Sequence, residues 1–206
     1  MSSKDKRVTL YDYNEINEVD IESRYNLYIK FNNAEKNKVR LLMMNPSYAD
    51  KNVSDQTTSA AINEFQKNYG SLETINLSPK ITTDPDRLEP LSYLENLYNK
   101  YYVIDKMTDE NYDIVLATGD FRQNTKNKLV KDQMYDTYQE LLKNLKYNKL
   151  NIRLYAYGMI KENRYGIHFS KAKMKDKTRV IVGWSKDNKE YILKPYFPYQ
   201  EIVTSL

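Results

Sequence analysis

The chain has 206 residues, of which 40% are hydrophobic and 29% charged, and its mean hydropathy of −0.80 describes a globular protein with a very polar surface. No apolar run approaches the roughly 20 residues of a membrane helix, the opening MSSKDKRVTL lacks the apolar core of a signal peptide, and the absence of cysteine excludes a disulfide framework, so a cytoplasmic setting and no membrane partner are expected. A net charge of +4 and a pI near 8.9 favour polyanions without demanding one.

RYNLYIKF, Arg24 to Phe31, alternates polar and apolar residues and reads as a strand. NNAEKNK reads as a turn and VRLLMM as the second strand of an antiparallel hairpin. That strand runs into Asn45, Pro46 and Ser47. TTSAAINEFQKN places Ala61, Ile62 and Phe65 on one helical face and ends at Gly70, a common helix terminator. ETINL, Glu73 to Leu77, is a short strand, and Pro79, Pro85 and Pro90 hold the next stretch out of helix.

SYLENLYNKYYVIDKM then predicts a helix with Leu94, Leu97, Tyr98, Tyr101 and Ile104 as its buried stripe. DIVLATG, Asp113 to Gly119, is nearly continuous in apolar residues, as in a strand buried on both faces. Met134, Tyr138, Leu141, Leu142 and Leu145 mark another helix, and NIRLYAYG the next strand. TRVIVGW and EYILK, joined by SKDNK, predict a terminal hairpin. The alternation implies a three-layer α/β sandwich with a central, mostly parallel sheet and antiparallel hairpin strands at each end. One domain over 1–206 is expected, with a hairpin extension from 178.

In such sheets ligands bind beyond the carboxyl ends of the strands. Asn45 to Ser47, Asn76 to Pro79, Gly119 with Asp120, and the stretch from Lys161 to Ser170 therefore fall on the binding edge. There is no P-loop and no G-x-G-x-x-G. One histidine and no cysteine cannot build a usual zinc site. Asp50 and Asp55 are the residues a Mg²⁺ ion would use, but loop aspartates read first as turn or cap residues. No metal or cofactor is expected. Serine-histidine-aspartate catalysis lacks its G-x-S-x-G elbow. The single histidine, His168, would by itself read as structural, yet its place after a core strand and a glycine suits a donor to an oxyanion or a leaving base. The basic stretch from Lys161 to Arg179 reads equally as a solvated loop or as a polyanion contact. The 20 tyrosines suit base stacking, although abundant Lys, Asn, Ile and Tyr together also reflect an AT-rich genome.

NPSYAD followed by DQT, G…INL, TTDP, DIVLATG and YGMIKENRYGIH resembles a bacterial and phage family, the domain of unknown function family sixteen-forty-three. The resemblance spans about residues 24–170. It rests on Asn45, Pro46, Ser47, Ala49 and Asp50, on Asp55 and Thr57, on Asn76, Thr83, Asp84 and Pro85, and on Gly119, Gly158, Lys161 and His168. Phe169 stands where the family usually shows proline, and Thr118 where it often shows tryptophan.

The order of strand-end motifs also resembles the uracil-DNA glycosylase superfamily. That resemblance implies a uracil-DNA-glycosylase-like fold. It assigns catalytic places to Asn45, which would position a water, and to His168, which would stabilise a departing base. Asn76 would read a base edge and Tyr48 would stack on a flipped base. Ser47, Asp50, Asp55, Thr57, Gly119, Lys161, Arg164 and Ser170 complete the expected ligand-binding set. The expected partner is nucleic acid, DNA first, or a nucleotide. An active N-glycosidic-bond hydrolase and a protein-interaction module of a phage or mobile element are the alternatives.

Overall fold

The computed structural model describes residues 9–11, 23–31, 37–47, 56–147, 152–169 and 177–197. The strands are β1 (Thr9–Tyr11), β2 (Asn26–Lys30), β3 (Lys38–Met43), β4 (Ser71–Asn76), β5 (Tyr112–Leu116), β6 (Arg153–Ala156), β7 (Met159–Ile160), β8 (Tyr165–Gly166), β9 (Thr178–Ser185) and β10 (Glu190–Pro195). The helices are α1 (Gln56–Phe65), α2 (Tyr93–Met107), the short α3 (Phe121–Asn124) and α4 (Lys128–Tyr147). No helix among the described residues is long and apolar enough to cross a membrane.

Eight strands form one sheet in the order β1-β2-β4-β3-β5-β6-β9-β10, and β7 and β8 form a separate two-stranded sheet. The four central strands, β4, β3, β5 and β6, are parallel, as their apolar runs predict. The flanking pairings are antiparallel, so the sheet as a whole is mixed.

Alternation of side chains sorts the core into two layers. On one face Leu42, Ile75, Ile114, Leu116 and Leu154 pack with Val103 and Met107 of α2 and with Met134, Tyr138, Leu141 and Leu142 of α4. On the other face Leu41, Met43, Leu72 and Val115 pack with Ala61 and Phe65 of α1. β3 is buried at five of its six positions, because helices cover both faces and parallel neighbours occupy both edges.

That arrangement overturns the expected hairpin of β2 with β3. β4 lies between them, and β2 pairs antiparallel with β4, Leu27 opposite Thr74 and Ile29 opposite Leu72. β2 alternates buried and half-buried residues, which suits a position away from the sheet centre. The terminal hairpin does form, between β9 and β10. It continues the main sheet, because β9 pairs with β6.

The stripe expected on α2 is also corrected. Leu94, Tyr98 and Tyr101 are 73%, 44% and 65% exposed, and the buried face is Asn99, Val103 and Met107. Asn99 Nδ2 donates to the Leu77 carbonyl at 2.8 Å, tying the helix to the chain leaving β4. The helix starts at a capping box of Ser92 and Glu95. Hydrogen bonds from Ser92 hold the Glu95 carboxyl below its ordinary pKa.

Candidate functional site

Parallel strands end on one edge, and four polar segments therefore meet there: Asn45 to Ser47 after β3, Asn76 closing β4, Gly119 and Asp120 after β5, and Gly158 after β6. Asn45 is engaged by its own surroundings. Its amide nitrogen donates to the carbonyls of Pro46 at 3.0 Å and Thr82 at 2.8 Å. Thr82 N donates back to the Pro46 carbonyl at 3.0 Å. Asn45 thus stitches the turn after β3 to the proline-rich loop after β4, and a water-positioning role is left only to its Oδ1. Ser47 lies half-buried in the same turn. Asn45→Ala should lower stability by about 1–2 kcal/mol through two lost hydrogen bonds. Asn45→Asp should lower it further, by facing two carbonyls with a carboxylate. Urea melts of both variants check the order.

Asn76 is the opposite case. It is 1% exposed, and neither its amide nitrogen nor its amide oxygen meets a hydrogen-bond partner among the described residues. It stands beside Met43 in the ladder, and by alternation from Leu72 it faces the α1 layer. Thr74, two residues earlier on that face, also keeps an unpartnered hydroxyl.

At the end of β5 two glycines bring the histidine loop in. Gly119 has φ +64°, and a Cβ there would lie 2.9 Å from His168 Cβ. Its N–H donates to the Gly166 carbonyl at 3.0 Å. A Cβ on Gly166 would lie 2.0 Å from the Leu116 carbonyl oxygen. Phe169 then anchors the loop, its buried ring 5.5 Å from Phe65 and 5.3 Å from Tyr157. Phe169 therefore fixes His168 by packing.

Lys161 reaches the same strand end. Its Nζ lies 3.7 Å from Asp120 Oδ2. With the Gln123 amide oriented to satisfy both neighbours, its oxygen accepts from Lys161 Nζ at 2.8 Å and its nitrogen donates to Asp120 at 3.3 Å. Lys161, Glu162 and Asn163 are all left-handed, at φ 53°, 57° and 69°. Such residues persist only where their surroundings over-determine them. Here the Asn163 carbonyl accepts from Leu193 N at 2.8 Å, and the Arg164 carbonyl accepts from the Tyr138 hydroxyl at 3.0 Å.

Residues 24–164 match the family described as Protein of unknown function (DUF1643). The chain belongs to that family. No curated protein and no solved structure matches it. In this DUF1643 chain the matched stretch holds Asn45, Asn76, Gly119 and Lys161 and ends before His168.

The structure brings Gly119 against His168 and Lys161 against Asp120, and it collects Asn45 and Asn76 on the same edge. It places Arg164 elsewhere. The Arg164 guanidinium pairs with buried Glu190 on β10 and with Glu162, which ties it to the terminal hairpin. Glu190 also accepts from the Tyr135 hydroxyl at 2.9 Å. Burial, and then that bond, push the Tyr135 phenol up to about 12. Thr57 lies half-buried in the first turn of α1. Tyr48, Asp50, Asp55 and Ser170 fall outside the described residues. Among the described residues no three His, Cys, Asp or Glu side chains are grouped to hold a metal ion.

Two charged clusters escaped the sequence reading. Arg40 and Glu73 form a buried ion pair at 2.6 Å between β3 and β4. Asp113 on β5 pairs with Arg153 and accepts from the Tyr69 hydroxyl at 2.6 Å, and Tyr69 in turn accepts from Lys177 Nζ at 2.6 Å. Both lie towards the amino-terminal ends of their strands, away from the strand-end edge.

Proposed function

We propose that the strand-end edge binds a nucleotide or a nucleic-acid base, and that Asn76 reads the base. The carrying observation is the buried Asn76 amide with both its donor and its acceptor unpartnered. An unmade hydrogen bond on a buried group costs about 1–3 kcal/mol. A ligand edge that offers an acceptor beside a donor recovers this, and a base has such an edge. The amide is neutral, and so is the unpartnered Thr74 hydroxyl on the same face, which suits a base better than a phosphate. The order of strand-end motifs, similar to that of uracil-DNA glycosylases, supports the same reading and the corresponding fold.

Binding, with DNA or a nucleotide as ligand, is favoured over hydrolysis because both N–H groups of Asn45 are spent on carbonyls, and an amide is a poor general base. The second reading is an N-glycosidic-bond hydrolase, favoured by the fixed position of His168 at the end of β5. In that reaction the water oxygen bonds to the sugar anomeric carbon as the bond to the base nitrogen breaks, the base leaves with the bonding electron pair, His168 hydrogen-bonds the departing charge, and the proton lost by the water ends on the released base.

Calorimetric titration with deoxynucleoside monophosphates, including deoxyuridine monophosphate, tests the first reading. One of them should bind, and Asn76→Ala should weaken it roughly tenfold or more, a loss of at least about 1.4 kcal/mol. Free base released from uracil-containing DNA by the unmodified protein, and lost in His168→Ala, would establish the hydrolase instead. If no nucleotide binds and no base is released, both readings fall.

A further inference from the structure

The layer that holds α1 does not cover the whole sheet. On β6, β9 and β10 the face turned towards that layer carries a row of cations. The register defines it: Tyr155 stands opposite Arg179, Ile181 opposite Lys194, and Gly183 opposite Ile192. Their sequence neighbours Ala156, Val180 and Leu193 point into the α4 layer, so these residues point the other way. Ile181 is 47% exposed, and Arg179 and Lys194 are exposed.

The cations are held in place by uncharged surfaces. Arg179 lies 4.2 Å above the Tyr196 ring. Lys177 Nζ lies 4.4 Å from the Tyr155 ring centre and 4.9 Å from that of Tyr69. The stem of Lys194 lies across Gly183, where a Cβ would meet its Cε at 2.4 Å. Arg153 shares the face, but its charge is taken by Asp113. Among the described residues no carboxylate pairs with Lys177, Arg179 or Lys194. Arg179 and Lys194 are diagonal neighbours across the ladder, about 7–8 Å apart.

The face also leads to the strand-end edge. Tyr157 follows Tyr155 by two residues, its ring packs on Phe169, and Phe169 adjoins His168.

We propose that this open face of β6, β9 and β10 is a track for single-stranded nucleic acid, with Lys177, Arg179 and Lys194 meeting its phosphates. The choice of polyanion rests on the nucleic-acid reading of the strand-end edge. Cations without a carboxylate partner, two of them over aromatic rings, on an exposed sheet suit a single strand, whose phosphates they neutralise and whose bases stack on guanidinium planes and rings. A duplex presents no free base faces to such a surface.

The test is fluorescence anisotropy of labelled oligo-deoxythymidine over a potassium chloride series, with Arg179→Ser, Lys194→Ser and the double variant. Lys177 is left in place because Tyr69 depends on it. The unmodified protein should bind more weakly as salt rises, and each lost contact should flatten the log–log slope by roughly 0.7. Urea midpoints of the variants should match that of the unmodified protein, and nucleotide binding at the strand-end edge should be unchanged. Asn76→Leu should do the converse, losing the nucleotide and keeping the slope.

An unchanged slope in the double variant overturns the track while leaving the strand-end reading standing. Tighter binding to duplex DNA, or equal binding to polyglutamate, overturns it in favour of a duplex or an acidic protein surface. Failure of the unmodified protein to bind the oligomer also overturns it, and failure to bind nucleotide as well removes both readings.

Discussion

Replacing Arg40 by leucine should destabilise the protein by about 3–5 kcal/mol, the range for breaking a buried ion pair from one side. Arg40 and Glu73 are both buried, with Nε 2.6 Å from Oε2. Arg40 Nη1 also donates to the Lys106 carbonyl and lies 3.4 Å from Asp109. Its guanidinium rests 3.6 Å above the Tyr112 ring. The other oxygen of Glu73 accepts from Asn26 Nδ2 at 2.8 Å. One side chain therefore joins β3 and β4 to the end of α2 and the start of β5, and its loss leaves a buried carboxylate with only the Asn26 amide as partner among the described residues. Arg40→Leu with Glu73→Leu should recover most of the loss, because no charge is then left buried. Equilibrium urea unfolding of the two single variants and the double variant measures the coupling. A loss below about 1 kcal/mol for Arg40→Leu would place the pair in the class of surface bridges and contradict its burial.

Asn76→Leu should move stability and binding in opposite directions. Leucine fills a similar space and removes two buried groups that have no partner. The ligand-free protein should gain about 1–3 kcal/mol, the cost of an unmade buried hydrogen bond. Nucleotide binding should disappear at the same time. A stability gain with binding lost is the mark of a group kept for a ligand. If Asn76→Leu instead lowers the urea midpoint, the amide supports the fold, and the base-reading role fails.

The parallel centre of the sheet was legible because strands buried on both faces are mostly apolar, as in VRLLMM and DIVLAT. The buried stripe of α4 was legible for a related reason, since its apolar residues follow a single helical period. On α2 two stripes fit that period, and counting apolar residues favours Leu94, Tyr98 and Tyr101 over Asn99, Val103 and Met107. The deciding partner, the Leu77 carbonyl, is invisible to a count. The β2–β3 hairpin was expected from nearness in the chain, whereas the pairing depends on which strand needs neighbours on both edges.

In the site, strand topology located the edge but could not tell one asparagine from another. Asn45 and Asn76 both follow apolar strands. Only the fold shows that Thr82 meets the first and that no described residue meets the second. Arg164 was read as a ligand contact because it lies in a basic run, while the Glu190 that claims it comes from a distant strand.

Gly119 and Gly166 are two of the five glycines in the chain, and their geometry limits what can vary around the strand-end edge. At Gly166 any side chain would have to occupy the space of the Leu116 carbonyl, and at Gly119 it would meet both His168 and an unfavourable backbone. Each position thus has an alphabet of one letter. The separation between the end of β5 and the histidine cannot be rewritten, because it is already as small as two backbones without side chains allow. The edge is therefore dimensioned by what these two positions lack, and the proposed ligand would have to be accommodated from its β3 and β4 side.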